Sequence, residues 1–149
     1  MMEEEKIYQD MSIFEFMYDR YRIDKKIRLI EFFAGIGAQS KALEILGVPF
    51  EHHKICEWAY NSYCSYNEMH IKDHTDYAKD LSREELIKRV KGTSANYNEP
   101  INDQALNKKP IEWLKNAYNN IVATHNLVNI MDVHGKDLEI TEKDKYCYI

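Results

Sequence analysis

The chain has 149 residues, 44% of them hydrophobic and 30% charged, a composition typical of one soluble globular domain with its own core. Its 25 acidic residues outnumber its 20 basic residues and give a net charge of −5, so the sequence does not predict a domain that grips DNA by itself through a basic face. It contains no apolar run of about 18 residues and no signal-peptide pattern, so we expect no membrane segment. Its three cysteines have neither metal nor disulfide spacing, so we expect a cytoplasmic protein with free thiols.

The first half of the chain alternates between strand and helix patterns. The predicted elements are, in order, an N-terminal helix over Ser12 to about Arg22, a strand over 27–33, a helix over 41–46, a strand over 50–56 and a helix over 59–69. Strand, helix, strand and helix in so few residues are typical of a βαβ unit in a parallel sheet. We therefore predict an α/β domain with an N-terminal helix in residues 1–26 and a βαβα core over residues 27–72.

The second half predicts a helical insertion over residues 73–126 and a return to the core over residues 127–149. The predicted elements are a helix that begins with a capping box at Ser82, a polar loop over 92–107, a helix from Pro110 to about Thr124 and a strand over 146–149. We expect the insertion to belong to the same domain and to serve as solvent-facing structural padding.

The strongest chemical signal is the turn Phe33-Ala34-Gly35-Ile36-Gly37, which joins the first strand to the first helix. Its glycines permit a tight turn and let backbone amides approach a ligand, and the following helix N-terminus favours an anionic group. Glu57 lies 20 positions beyond Gly37, at the tip of the next strand, where an acidic residue can bind ribose hydroxyls. Together these features predict a site for an adenosine-containing cofactor.

The same turn indicates which cofactor it suits. Ser40 stands where the dinucleotide fingerprint has its third glycine, and no Gly-Lys-Ser/Thr sequence of a nucleoside-triphosphate loop follows. A ligand with an adenosine and a carboxylate but no phosphates fits better. The sequence therefore favours S-adenosylmethionine.

Three motifs carry a family resemblance. The segment Ile30–Gly37 closely resembles the first motif of the DNA cytosine-5 methyltransferases, Glu57-Trp58 with the residues after it is similar to their second motif, and Gly135-Lys136-Asp137-Leu138 resembles their third with one extra residue. The motifs follow the family's order and span roughly Arg28 to Ile149. The resemblance implies a partial Rossmann-like fold of the S-adenosylmethionine-dependent methyltransferases, with a helical insertion.

The resemblance also implies a role for each matching residue. Backbone around Phe33, Gly35 and Gly37, with Ala34 and Ile36 between them, would hold the methionine portion of S-adenosylmethionine. Glu57 would bind the ribose hydroxyls and Trp58 would pack on the adenine ring. Asp137 would accept a hydrogen bond from the adenine amino group, and Leu138 would cover the ring edge.

In the family, the last strand leads into a Pro-Cys-Gln loop whose thiolate attacks C6 of a flipped-out cytosine. No Pro-Cys pair occurs in this chain, so we predict that it holds no catalytic residue and is inactive alone. Cys147 lies inside the predicted strand and is expected to be structural. DNA would be contacted through the full-length enzyme, of restriction-modification or phage type and encoded by a bacterium or phage, or through a complementing C-terminal part.

Several alternatives stay open. The chain could be one subunit of a split methyltransferase that associates through its C-terminal strand, or a non-catalytic nucleoside-binding or regulatory module. His70 and His74, four positions apart, could share a helix face as metal ligands, although no third ligand is indicated. The tyrosine cluster at Tyr60, Tyr63 and Tyr66 is expected to pack a helix rather than to stack on bases.

Overall fold

The computed structural model describes residues 25–143 and 145–149, and the helix predicted over Ser12 to Arg22 lies outside them. Three parallel strands form one sheet in the order β2-β1-β3. The strands are β1 (Lys26–Phe32), β2 (Phe50–Cys56) and β3 (Tyr146–Tyr148). The three strands predicted for this part of the chain are confirmed to within about a residue or two at their ends.

The helices are α1 (Ala38–Ile45), α2 (Tyr60–Tyr66), α3 (Arg83–Arg89), α4 (Asp103–Lys108) and α5 (Ile111–Ala123). A π-helical turn, Asn67–Ile71, continues α2, and two 3-10 helices, Ile130–Asp132 and Gly135–Leu138, precede β3. The predicted loop over 92–107 is wrong where it overlaps α4. The Asn102 side chain caps α4 by accepting from the Ala105 amide at 2.9 Å, and Leu106 is fully buried. Six residues are too few for a helical period to stand out in the sequence. No helix within the described ranges is long and apolar enough to span a bilayer.

The order of the strands places a crevice at the end of β1. Asn126 forms an isolated parallel bridge with Ile55 of β2, and the Leu127 amide donates to the Ile55 carbonyl at 2.9 Å. The chain thus moves outward from β1 to β2 and to this segment, then returns to the other side of β1 as β3. Ligands of open α/β sheets bind at such a reversal, beside the carboxyl ends of the strands. The architecture is α/β, consistent with the partial Rossmann-like fold expected from the sequence.

Arg28 of β1 ties the three strands together. Its Nε donates to Glu51 on β2, its Nη1 donates to the Tyr148 hydroxyl on β3 at 3.0 Å, and its guanidinium lies 3.4 Å from the centre of the Tyr146 ring. These side-chain contacts link the same pairs of strands that the backbone hydrogen bonds join. A planar, permanently charged donor suits such a position better than a lysine would.

One hydrophobic cluster joins the sheet to the insertion. Its buried members come from β2, α2, α3, α4 and α5 and include Ile55, Tyr63, Tyr66, Leu86, Leu106, Leu114 and Ile121. Tyr63 and Tyr66 are at most 1% exposed, and the Tyr60 ring stacks on Trp113 at 4.6 Å between centroids, so the predicted packing role of these tyrosines is confirmed. Because the insertion fills the same core as the sheet, it is more than solvent-facing padding.

Candidate functional site

The turn after β1 has a left-handed backbone at three of its five residues. Phe33, Gly35 and Gly37 have φ values of 55°, 54° and 86°. The Phe33 amide donates to the Cys56 carbonyl and the Gly37 amide donates to the Ala34 carbonyl, both at 2.8 Å. Glycine adopts this conformation freely, whereas the phenylalanine does so at a cost. The turn predicted from the sequence is therefore present, and it leaves Phe33 74% exposed at the end of the sheet.

His70 braces the turn from the π-helical segment. Its Nε2 lies 2.9 Å from the Ile36 carbonyl oxygen, and because a carbonyl only accepts, Nε2 carries the proton. The imidazole is 2% exposed and fills the space that a Cβ on Gly37 would occupy. This position explains why the last residue of the turn must be a glycine.

The two histidines considered as a metal pair have different surroundings. No group of three or more histidine, cysteine, aspartate or glutamate residues that could hold a metal occurs within the part of the chain that the structure describes. His74 is 65% exposed at its side chain and lies 3.6 Å from Glu68, whereas His70 is engaged with the turn.

A buried carboxylate lies beneath the turn. Glu31 is 1% exposed and accepts hydrogen bonds from the Ser40 amide at 3.2 Å and from the hydroxyls of Ser40 and Tyr66. The Tyr66 hydroxyl also lies 2.8 Å from His52 Nδ1. Burial raises the pKa of Tyr66, so its hydroxyl stays protonated and can donate to the carboxylate. Ser40, which replaces the third glycine of a dinucleotide motif, thus fastens the start of α1 to β1.

Glu57 links the turn to the end of β2. Its Oε2 accepts from the Gly35 amide at 2.8 Å, and its Oε1 accepts from the Ala59 amide at 2.8 Å. An ionised carboxylate has about four acceptor positions, so roughly two remain for a ligand's hydroxyl groups. The half-buried Glu57 therefore can hold the turn and bind a ligand at the same time.

Asn126 fixes the backbone on either side of the Glu57 side chain. Its Nδ2 donates to the Glu57 carbonyl at 2.8 Å, while its Oδ1 accepts from the amides of Glu57 at 3.0 Å and of Val128 at 2.9 Å. The residue is 8% exposed. An asparagine 69 positions from its partner leaves no motif in the sequence, so sequence reasoning missed it.

A cavity of about 400 Å³ opens at this edge of the sheet. Three of the residues that line the cavity were predicted for the site, namely Phe33, Glu57 and Trp58. Cys56, Tyr97 of the insertion and the segment 128–131 supply the others, and none of these was predicted as a site residue. The segment 128–131 could have been found only by recognising that residues 126–128 run beside β2. The cavity lies in the size range of small-ligand sites.

The other predicted site residues lie elsewhere. Ala34 is buried behind the turn, and Ile36 is 56% exposed. Asp137 accepts from the His134 amide at 2.8 Å, and the Leu138 carbonyl accepts from His53 Nε2 at 2.9 Å, three residues before the end of β2. The structure thus brings Glu57 and Trp58 together around the cavity with Phe33 and does not place Asp137 or Leu138 in its walls.

The thiol in the cavity wall is not poised for nucleophilic attack. Burial raises the pKa of Cys56 to about 11, and its Sγ lies 3.6 Å from the Val128 carbonyl. All three cysteines are free, and Cys147 lies within β3 as predicted. A neutral thiol at physiological pH is a weak nucleophile.

The chain was compared with protein-family profiles and with known proteins. No protein-family profile matches the chain. The chain is 34% identical over 113 residues to the orphan methyltransferase M.SssI of Spiroplasma monobiae. The alignment covers 73% of this chain and 29% of that relative, so the chain spans less than a third of the relative's length. The chain is therefore similar to part of a methyltransferase, and its α/β sheet with the glycine turn at the edge is consistent with that similarity.

Proposed function

We propose that this chain is the S-adenosylmethionine-binding part of a DNA cytosine-5 methyltransferase. The observation that carries the proposal is the position of Glu57. Its carboxylate holds the glycine turn through the Gly35 amide and lines one cavity together with Phe33 and Trp58. An acidic residue at the end of the second strand, beside a glycine turn, is the arrangement that binds the ribose of adenosine cofactors in open α/β folds.

In this proposal the cavity and the glycine turn beside it hold different parts of the cofactor. Glu57 uses its remaining acceptor positions for the two ribose hydroxyls. Trp58 offers a large aromatic face to the adenine. The N-terminus of α1, at Gly37, favours the methionine carboxylate through the aligned amide dipoles of the helix. The cofactor supplies the methyl group on its sulfonium, while the residues of this chain bind and orient it.

The segment 128–131 takes the place that the sequence assigned to Asp137 and Leu138. It follows directly on the stretch that pairs with β2, and its residues form the cavity wall beside Trp58. We propose that Ile130 and Met131 cover the adenine edge. Met131 is 84% exposed beside the open cavity, as expected of an apolar residue that a ligand would cover.

The reaction itself needs groups that are not among these 149 residues. No Pro-Cys pair is present, Cys56 is held as a thiol by burial, and Cys147 lies within a strand. We therefore propose that the nucleophile and the DNA-reading surface belong to a longer protein or to a complementing chain in the cytoplasm of a bacterium or an infected cell. Association through β3 stays a prediction.

Cofactor binding can be followed at the two tryptophans of the chain. Trp58 lines the cavity, whereas Trp113 stacks on Tyr60 and serves as an internal control. In ¹H–¹⁵N spectra we expect millimolar S-adenosylmethionine to shift the Trp58 indole signal and to leave that of Trp113 in place. Glu57→Ala should weaken the effect, and Glu99→Ala, at an exposed position outside the cavity, should not. An equal response to ATP and NAD would contradict the assignment of the cofactor.

The reaction class has a separate test. In a chimera, residues 1–149 replace the aligned part of the relative, and transfer of tritiated methyl groups into DNA is measured. We expect methyl transfer that Glu57→Ala abolishes. A chimera that folds and binds S-adenosylmethionine but leaves DNA unmethylated, beside an active parent enzyme, would contradict the proposed reaction.

A further inference from the structure

A loop of the insertion is built onto the segment that carries Trp58. The Ser94 amide donates to the Trp58 carbonyl at 2.7 Å, and the Ser94 carbonyl accepts from the Tyr60 amide at 2.9 Å. Ser94 is fully buried and forms an isolated parallel bridge with Ala59. The loop therefore keeps a fixed position relative to the cavity wall formed by Trp58.

The loop over 94–100 is closed at its own base. The Ile101 amide donates to the Thr93 carbonyl at 2.8 Å, and Ser94 bridges Pro100 in antiparallel fashion. Inside the loop the Asn96 amide donates to Ser94 Oγ at 3.3 Å. Such closure, with both ends held, turns seven residues into a compact unit with Tyr97 at its tip.

Tyr97 combines three properties of a ligand-binding residue. It lines the same cavity as Trp58, its residue surface is 56% exposed, and its backbone is left-handed with a φ of 66°. A tyrosine in this conformation carries strain that glycine or asparagine would avoid. Residues held in sparsely populated backbone regions are found disproportionately at ligand sites. Val128, with a φ of 62°, lines the same cavity in the same backbone region.

We propose that Tyr97 is a second binding residue for the adenine of the cofactor, so that the insertion supplies one face of the nucleoside site and Trp58 the other. This inference rests on the proposed function, because it assumes an adenine in the cavity. An aromatic ring stacks on any nucleobase through its π face, and the tyrosine hydroxyl keeps the ring wettable while the cavity is empty. The insertion thereby contributes to cofactor recognition and not only to the core.

The test compares Tyr97→Gly with Tyr97→Phe in the complete chain. S-adenosylhomocysteine and, separately, adenosine are titrated while the Trp58 indole signal is followed. We expect Tyr97→Gly to raise the dissociation constant of both ligands about tenfold, which corresponds to loss of one stacked aromatic contact. Tyr97→Phe keeps the ring and should stay within about twofold of the wild type. Because glycine relieves the left-handed strain, the urea midpoint of Tyr97→Gly should not fall.

Asn98→Gly is the matched control, since it loosens the same loop and keeps the tyrosine. If it weakens binding as much as Tyr97→Gly, the ring is not responsible and the inference is overturned. A wild-type response at Trp58 with unchanged affinity in Tyr97→Gly would overturn this inference alone and leave the proposed function standing. No response of the wild-type Trp58 signal to either ligand would overturn the proposed function, and the inference with it. A loss of affinity for S-adenosylhomocysteine without a loss for adenosine would place the ring against the amino-acid end and contradict the adenine contact.

Discussion

Gly37→Ala tests how the glycine turn is held against the π-helical segment. A Cβ at this position would lie 2.7 Å from His70 Cδ2, closer still to Nε2, and 3.0 Å from Tyr66 Cε2, with a φ of 86°. His70 is 2% exposed and hydrogen-bonded to the Ile36 carbonyl, so it cannot move aside freely. The substitution therefore adds a steric clash to backbone strain.

The two contributions can be estimated separately. A left-handed backbone costs an L-residue about 1–2 kcal/mol relative to glycine. Forcing an extra carbon into a packed site costs about 1–3 kcal/mol more. We expect Gly37→Ala to lower the free energy of unfolding by about 2–5 kcal/mol in total, a large share of the stability of a domain of this size.

Gly47→Ala supplies the matched control. Gly47 also has a left-handed backbone, with a φ of 66°, but a Cβ there would meet no atom of the described residues within 4 Å. Gly47→Ala should lower the free energy of unfolding only by the backbone contribution, about 1–2 kcal/mol. Urea denaturation followed by circular dichroism measures both variants. Combining Gly37→Ala with His70→Ala should recover most of the difference, as a coupling energy between the two sites. Equal costs for Gly37→Ala and Gly47→Ala would refute the packing of His70 against the turn.

Three further outcomes follow from the contacts at the site and in the sheet. Glu57→Gln leaves either the Gly35 or the Ala59 amide without its carboxylate acceptor and should lower the free energy of unfolding by about 1–3 kcal/mol. Glu99→Gln, the control, should change the free energy of unfolding by less than about 0.5 kcal/mol. Equal urea midpoints for the two variants would contradict the two hydrogen bonds to Glu57. Burial raises the pKa of Cys56 to about 11 and that of Cys64 to about 12. Both thiols should therefore resist alkylation by iodoacetamide at pH 8 until urea unfolds the chain. Alkylation of either cysteine in the folded state, detected by mass spectrometry, would contradict this burial. Hydrogen bonds from the Arg28 guanidinium and the Lys26 ammonium on β1 lower the pKa of Glu51. The contribution of Glu51 to stability is therefore present above its ordinary pKa of 4.5, and it is lost as the pH falls through the lower pKa of the folded state. Glu51→Gln should therefore flatten the acid side of the stability profile, and an unchanged acid limb would show that this ion pair contributes nothing there.

The parts of the molecule that depend on neighbouring residues could be predicted from the sequence. The strand before the glycine turn, the turn itself and Glu57 at the end of β2 follow from local patterns and short spacings, and all three occur as expected. α4 could not be predicted, because six residues show no period and its stability comes from the Asn102 cap and the burial of Leu106.

The residues that complete the cavity come from distant positions. Tyr97 and the segment 128–131 reach it only because the insertion pairs its Ser94 with the Trp58 segment and because Asn126 runs beside β2. No spacing rule connects positions that lie more than about 30 residues apart unless the register of the tertiary contacts is known. Ser40 shows the converse case, since the sequence revealed only a missing glycine, whereas the structure shows a hydroxyl bound to a buried carboxylate.

The adenine contact that the third motif predicts for Asp137 stays a prediction. Asp137 matched a family pattern with one extra residue, yet it lies in a 3-10 helix where it caps the His134 amide. Two 3-10 helices, Ile130–Asp132 and Gly135–Leu138, follow each other before β3. Where the segment before them pairs with β2 decides which of the two lies at the carboxyl end of the sheet. The pairing of Asn126 with Ile55 carries the chain to the cavity at 128–131, several residues before Asp137.

The most direct test of the cofactor site is the measurement of nuclear Overhauser effects between bound S-adenosylmethionine and the two indole rings. The proposed site predicts contacts from the adenine H2 and H8 protons to Trp58 and none to Trp113. Adenine contacts to Trp113, or cofactor binding that leaves Trp58 without any contact, would contradict the placement of the nucleoside in the cavity beside Glu57.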